Sequence, residues 1–412
     1  MLQPISQSQR LNQVRYDIRG PLNARAIALE AQGHRIIKLN IGNPALFGFG
    51  TPHHLRDAIA ANLERSEAYV HQQGILTARE AIAESQVARG VIGVNANHVF
   101  IGNGVSELID LTLRALLNPG DEVLIPAPDY PLWTAAVHLN GGIPRYYPCP
   151  ASRLGLPDPQ EIEALINKRT RALVLINPNN PTGAVYPKAL VQELVRIAER
   201  HGLVLMSDEI YEGLLYEQAQ FQPVAPLVHD TLCLTFSGLS KVHRACGYRV
   251  GWVTLSGTLK PAREYLKAMD VLAALRLCSN VTAQWAIPAA LNGPDSCSAL
   301  CKPGGRLYES RKAVIDGVAA SNFLKLAAPQ GAMYGFPGVS LEQIPHFDDQ
   351  RFAMDLLERE HVLVVPGSSF NVAYRNHFRI TLLPEAPVLR KVFASIEGVL
   401  AEYAGMQVSA AG

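Results

Sequence analysis

Lys241 and Arg249 share a short, glycine-punctuated segment, Ser237-Gly238-Leu239-Ser240-Lys241 followed by Gly247-Tyr248-Arg249-Val250-Gly251-Trp252. A lysine amine can bond to a carbonyl carbon or carry a proton, and a guanidinium can hold an anion. Taken alone, the segment also reads as a solvated charged loop. Upstream, the apolar run Leu203–Met206 passes directly into Ser207-Asp208-Glu209-Ile210-Tyr211. A carboxylate at a buried strand end is costly without a partner. Asp208 therefore needs a cation or a structural set of hydrogen bonds, and capping of a following helix is the plainer account. The run Ala172–Ile176 ends in Asn177-Pro178-Asn179-Asn180-Pro181-Thr182-Gly183. Turn chemistry explains its prolines and glycine, but not the placing of Asn180 at a strand end. In Ile101-Gly102-Asn103-Gly104-Val105-Ser106-Glu107 a helical pattern begins, and its first N–H groups with the Ser106 hydroxyl could cradle a phosphate. A tight turn is the competing account, and Glu107 stands where a dinucleotide fingerprint wants a third glycine. Arg379 falls inside the predicted strand Phe378–Leu382, where a guanidinium demands an acidic partner.

These groups need a frame. The chain has 412 residues and 48% hydrophobic content, enough for a sizeable core and more than one domain. Its 37 lysines and arginines against 36 acids give no positive field for nucleic acid or anionic lipid, so any anion must be held locally. The start MLQPISQSQRLNQVRYDIRG has no signal-peptide pattern and no apolar stretch is long enough to span a membrane, which sets a cytoplasmic protein as the expectation. The six cysteines are sparse and irregular. Cys297 and Cys301 have one-turn spacing but no supporting histidine, so they read as ordinary thiols with no metal.

Short apolar runs alternate with amphipathic stretches, the pattern of an α/β protein. Thr77 with Glu80 predicts a capping box before a helix that stops near Gly90, and Pro187 opens another that stops at Gly202. Val123–Ile125, Ala172–Ile176, Leu203–Met206, Leu232–Phe236 and Val250–Leu255 suit strands covered on both faces. A smaller domain is expected to begin near Cys301–Arg306, with strands near Val362–Val365 and Phe378–Leu382. The expected division is an arm and segment at 1–45 packing with the small domain, a large domain at 46–300 and a small domain at 301–412. In open α/β sheets, ligands collect at the carboxyl ends of the strands.

Taken together, the Asn-Pro turn, Ser-Asp-Glu-x-Tyr, and Ser-Lys followed by Gly-x-Arg-x-Gly resemble the fold-type I pyridoxal-phosphate enzymes of aminotransferase class I and II. The resemblance implies an α/β large domain with a mostly parallel seven-stranded sheet between helices, plus a smaller α+β domain. It also implies that Lys241 carries pyridoxal 5'-phosphate as a Schiff base and shuttles a proton, while Asp208 pairs with the ring nitrogen. Asn180 and Tyr211 match positions that bind the ring hydroxyl, and Tyr130 matches the stacking aromatic. Arg249 with Gly104, Val105 and Ser106 matches the phosphate cradle. Many relatives have a phosphate-binding serine where this chain has Gly238, and Ser237 or Ser240 is expected to substitute. Arg379 matches the anchor of the substrate α-carboxylate, with Gly42 of Leu39-Asn40-Ile41-Gly42-Asn43-Pro44 close by. Tyr69 matches a tyrosine that reaches the neighbouring subunit's cofactor, which implies a homodimer with shared sites.

Tyr16-Asp17-Ile18-Arg19-Gly20-Pro21 and the segments after it resemble bacterial glutamate-pyruvate (alanine) aminotransferases, so alanine with 2-oxoglutarate is the expected pair, with Tyr16 and Arg19 among the substrate-binding residues. Aspartate aminotransferases take a distal carboxylate on a second arginine; its position here falls on Leu275, with Arg276 adjacent, and Arg19 or Arg276 is expected to serve. The same scaffold also hosts transaminases for aspartate, valine or aromatic amino acids, β-lyases and non-catalytic cofactor sensors. A sensor of that kind carries a DNA-binding domain, for which no room is expected ahead of Tyr16. A dehydrogenase built on Gly102–Glu107 is a weaker alternative.

Overall fold

In the computed structural model the described residues are 5–15, 18 and 20–410. After a two-residue strand β1 (Ile37–Lys38), seven strands build one sheet: β2 (Val99–Gly102), β3 (Glu122–Ala127), β4 (Ile143–Pro148), β5 (Thr170–Ile176), β6 (Val204–Asp208), β7 (Leu232–Gly238) and β8 (Gly251–Gly257). Their spatial order is β2-β8-β7-β6-β5-β3-β4. β8 runs antiparallel to both neighbours and the other pairings are parallel, so the expected mostly parallel seven-stranded sheet is what forms.

Successive side chains along a strand point to opposite faces, and β5 divides its residues accordingly. Leu173 and Leu175 enter one hydrophobic cluster, while Ala172, Val174 and Ile176 enter another. Helices cover both faces, which is why the central runs are apolar without alternation; every residue of β7 is buried. Two strands, β2 and β4, go beyond the sequence expectations. β4 is an edge strand carrying exposed Arg145 and Tyr146, and β2 is four residues long and runs straight into the Gly102–Gly104 turn.

The helix Lys188–His201 behaves as expected, with Pro187 at its N-cap and Gly202 ending it in the left-handed region at φ 62°. The Thr77–Glu80 capping box does not form. The helix Leu76–Ala88 starts one residue before Thr77, its N-cap is Ile75, and the Ile75 N–H donates to Gln284 Oε1 at 2.8 Å. A tertiary acceptor replaces the local one.

Beyond β8 the chain adds the short strands β9 (Leu324–Lys325), β10 (Tyr334–Gly335), β11 (Gly338–Val339), β12 (Val362–Leu363), β13 (Val365–Pro366) and β14 (Phe378–Thr381). The single strand expected over Val362–Val365 is divided: β12 pairs in parallel with β1, whereas β13 pairs with β14. Leu22, Ala26, Leu29 and Leu39 share a cluster with Leu356, Val362 and Phe378, so the first segment packs with the last third of the chain.

One topological detail positions the chemistry. Because β8 is reversed, its first residue Gly251 lies opposite both Gly102 and Gly238, the last residues of β2 and β7. The residues just before β8 therefore share an edge with those just after β2, β5, β6 and β7.

At the opposite edge, fully buried Glu122 accepts from Asn167 Nδ2 at 2.7 Å and pairs with Arg145 and Arg169, each at 2.9 Å. Its carboxyl is held below the ordinary range, chiefly by the Arg145 hydrogen bond. A depressed folded pKa gives stability that is present above the unfolded pKa and lost as pH falls through the folded one. Glu122→Ala should cost about 1–3 kcal/mol at pH 7 by thermal or urea unfolding, with the gap to the parent narrowing near pH 3. A gap that stays constant with pH would count against the ion pairs.

Candidate active site

The carboxyl-terminal edge of the sheet encloses a cavity of about 590 Å³. Among its lining residues are Gly42, Val105, Ser106, Tyr130, Asn180, Asp208, Tyr211, Ser240, Lys241, Arg249 and Arg379. Residues from strand ends, loops, the start of a helix and the distant strand β14 thus meet in one place.

Asp208 ends β6 and is almost fully buried. Strand alternation separates it from its neighbours: Ser207 donates to Glu209 Oε1 at 2.9 Å on the other face. Trp133 Nε1 donates to Asp208 Oδ2 at 3.2 Å. No described cation forms an ion pair with Asp208, and burial pushes its pKa up to about 6 against the smaller lowering effects of Trp133, the Ile210 N–H and Lys241. This carboxylate favours a cation that comes from outside the chain. Helix capping does not account for it, because no helix begins after β6 here.

Lys241 follows β7, and its Nζ donates to the Gly42 carbonyl at 2.7 Å. Gly42 has no room for a side chain, since a Cβ would collide with the Tyr334 hydroxyl. Asn180, just past β5, accepts from Arg379 Nη1 at 3.1 Å, which leaves its amide nitrogen as a donor.

Arg379 on β14 is 2% exposed. The acidic partner demanded by a buried guanidinium is not found among the described residues. Its polar partners are the side-chain oxygen of Asn180 and the Asn40 carbonyl, and Nε has none. Its Cζ sits 4.6 Å from the Tyr334 ring centre and 5.0 Å from that of Phe370. A cation held by neutral oxygens and aromatic faces is suited to a carboxylate ligand.

At the other end of the cavity, Gly104 adopts φ 89° and provides no side-chain cap for the helix Val105–Leu116. The first N–H groups of that helix are open to an anion. Arg249 lies against Gly104, where a Cβ would collide with the guanidinium, and bonds to the Cys246 and Asn103 carbonyls at 2.8 and 3.2 Å. Gly238 is fixed by packing: a Cβ there would meet Gly251 Cα and the Val250 oxygen at 2.8 Å. Of the two expected substitutes for the missing serine, Ser240 lines the cavity, and Ser237 is buried inside β7 away from it.

The family model for aminotransferase class I and II matches residues 34–395. The chain belongs to this family. It is 46% identical over 383 residues to the glutamate-pyruvate aminotransferase AlaA of Escherichia coli (strain K12), covering 93% of this chain and 95% of that protein. An alanine aminotransferase of Mycobacterium bovis is 43% identical, with 97% and 93% covered. A crystal structure of an aminotransferase from Escherichia coli matches with a TM-score of 0.96 at 44% identity, covering 98% of this chain and all of that one. Aminotransferases of this class depend in general on pyridoxal phosphate.

The residues present fit that group. An aminotransferase needs an amine, an anion for a ring cation, donors for a phosphate and a cation for a carboxylate. Lys241, Asp208, the Arg249–Gly104 corner and Arg379 have those charges, in one cavity.

Some expected residues stand elsewhere. Tyr69 is 79% exposed and does not line this cavity. Tyr16 and Arg19 lie outside the described residues. Arg276 is engaged off the cavity, with Glu107 at 3.3 Å and the Ile101 carbonyl at 2.9 Å. The structure also adds residues that sequence reasoning missed: Trp133 on Asp208, Tyr334 between Arg379 and Tyr211, and Cys246, whose thiol donates to the Ser240 carbonyl at 2.8 Å. Trp133 lies three residues past Tyr130, a proximity that could have marked it; Tyr334 is in a distant strand with no local signal.

The raised pKa of Asp208 has a thermodynamic consequence. Its ionised form is destabilised by folding, so this cost is absent below pH 3.8, grows as pH rises, and is complete above about pH 6. In cofactor-free protein, Asp208→Asn should raise stability by on the order of 2 kcal/mol at pH 7.5 and have little effect at pH 4, measured by thermal unfolding. A variant less stable than its parent at pH 7.5 would contradict an uncompensated buried carboxylate.

Proposed function

We propose that this aminotransferase binds pyridoxal 5'-phosphate through Lys241 and transfers the amino group between L-alanine and 2-oxoglutarate, giving pyruvate and L-glutamate in a ping-pong cycle. The observation that carries the reading is Arg379, a buried guanidinium whose polar partners are neutral oxygens, in the same cavity as Lys241 and Asp208. The names of the relatives that are 46% and 43% identical support the choice of alanine and glutamate.

When bound, the cofactor supplies an electron sink for the charge left on the substrate α-carbon. Asp208 keeps a proton on the ring nitrogen through its negative charge. Asn180 and Tyr211 donate to the ring hydroxyl oxygen, and Tyr130 supplies the stacking face. Arg249, the N–H groups that open the helix after Gly104, and the Val105–Ser106 turn with its hydroxyl hold the phosphate. Ser240 fills the role left by Gly238. Arg379 binds the α-carboxylate and so orients the α-C–H bond. Lys241 Nζ takes the α-proton and gives it back, the proton-moving role of a general base placed beside its substrate. The Gly42 carbonyl, which holds Nζ in the free site, marks where the amine rests.

The same reading makes the enzyme a homodimer with shared sites, Tyr69 of each subunit reaching the other's phosphate; the high exposure of Tyr69 supports this. It divides the chain into an arm at 1–45, a cofactor domain at 46–300 and a small domain at 301–412, supported by the pairing of β1 with β12. It also places the protein in the cytoplasm, a setting in which six free cysteines stay reduced.

Mixing the cofactor-loaded protein with single amino acids and following its visible absorbance tests the substrate assignment: alanine and glutamate should each convert it. Conversion by neither overturns the substrate pair and leaves the cofactor assignment standing. Lys241→Ala should lower turnover by at least about 10²- to 10⁴-fold. For the distal carboxylate of 2-oxoglutarate, Arg276 is already engaged with Glu107, so Arg19 is the arginine to examine. Arg19→Ala should raise the KM for 2-oxoglutarate roughly tenfold or more, as loss of a charge-assisted hydrogen bond predicts. An unchanged KM would remove Arg19 from the site.

A further inference from the structure

Tyr334 belongs to none of the motifs that mark the site, yet it touches three of the site's parts. It lies on β10, opposite Thr381 of β14, and so beside Arg379 two residues along that strand. It is 2% exposed. The Tyr334 ring lies under the Arg379 guanidinium, with Cζ 4.6 Å from the ring centre. The Tyr334 hydroxyl is 3.0 Å from the Tyr211 hydroxyl, and the two rings meet edge to face at 85°. The same hydroxyl fills the space beside Gly42, whose carbonyl holds Lys241.

A phenol has one proton to donate. Among the described residues, the Tyr334 hydroxyl meets no acceptor besides Tyr211, and Tyr211 meets none besides Tyr334. Burial raises the Tyr211 pKa well above its ordinary value, so its hydroxyl keeps its proton. One of the two protons is spent between the rings, and the other is left over. If Tyr334 donates, the Tyr211 proton is free to point into the cavity, and a hydroxyl that accepts a hydrogen bond becomes a better donor.

We propose that Tyr334 is a positioning residue with two separable parts: its hydroxyl donates to Tyr211 and turns the Tyr211 proton into the cavity, while its ring holds Arg379 in place for the substrate carboxylate. This rests on the reading of the site given under Proposed function. The two parts predict different losses. Removing the hydroxyl weakens the donor to the cofactor ring oxygen. Removing the ring loosens the carboxylate anchor.

The test uses full-length protein loaded with pyridoxal 5'-phosphate, in wild type, Tyr334→Phe, Tyr211→Phe, the double variant and Tyr334→Leu. The pH midpoint of the bound cofactor's visible absorbance is read for each, with the KM and kcat for alanine. A donor to an oxygen favours its negative form and lowers such a midpoint, so losing the donor raises it. Tyr211→Phe should raise the midpoint, and Tyr334→Phe should raise it by a smaller amount, roughly 0.3–1 pH unit. Tyr334→Phe should add nothing in the Tyr211→Phe background and should change the KM for alanine by less than about threefold, because the ring stays under Arg379. Tyr334→Leu should raise that KM roughly tenfold. A midpoint for Tyr334→Phe equal to wild type, or a shift of full size in the Tyr211→Phe background, overturns the inference while leaving the proposed reaction intact. A Tyr211→Phe midpoint equal to wild type overturns the role given to Tyr211 and this inference with it.

Discussion

Two ionised groups of opposite sign are buried in one cavity without a described counter-ion of their own: the Asp208 carboxylate and the Arg379 guanidinium. Removing either from water is expensive, and neutral dipoles offset only part of the cost. Trp133, Asn180 and the Asn40 carbonyl offer such dipoles, and Tyr334 and Phe370 add their ring faces to Arg379. The remainder is available to a ligand with a cation at one end and a carboxylate at the other. A ligand of that kind would draw affinity and orientation from the same source, an electrostatic deficit that the fold maintains.

Maintaining it requires rigid surroundings, and the sheet supplies them. Asp208 is the last residue of a buried strand, held between β5 and β7 by paired backbone bonds. The reversal of β8 brings Arg249 to the same edge as Gly104 and Lys241, so the amine and this guanidinium stand on one side. Arg379 arrives from β14, a separate small sheet shared with β10 and β13. The guanidinium and the carboxylate thus sit in separate sheets, and Tyr334 and Asn180 are among the side chains that link the two.

Glycines mark where backbones must approach. Gly251 admits the start of the Val105 helix, Gly42 admits the Tyr334 hydroxyl, and Gly104 admits the Arg249 guanidinium. Gly238 has the same explanation: it lies against Val250 and Gly251 at the start of the neighbouring strand with no space for a Cβ. The serine it lacks could not be added without shifting that strand pair, and Ser240, two residues on, is the hydroxyl that reaches the cavity.

The sequence by itself determined the site's chemical content and the sheet's central strands. Lys241, Asp208, Asn180 and Arg249 were legible because each stands just past or before an apolar run, and strand ends in such a sheet face one edge. Local pattern ends there. The Thr77–Glu80 box failed because Gln284, far away in the chain, offered the Ile75 N–H an acceptor. β4 stayed hidden because an edge strand may be polar, and the Val362–Val365 strand divided because two partners competed for it. Only the tertiary structure decided that Ser240 and not Ser237 faces the cavity, that Arg276 is engaged with Glu107, and that Tyr334 joins Arg379 to Tyr211. Those are contacts between residues remote in sequence, and their geometry is set by packing, which no spacing along the chain encodes.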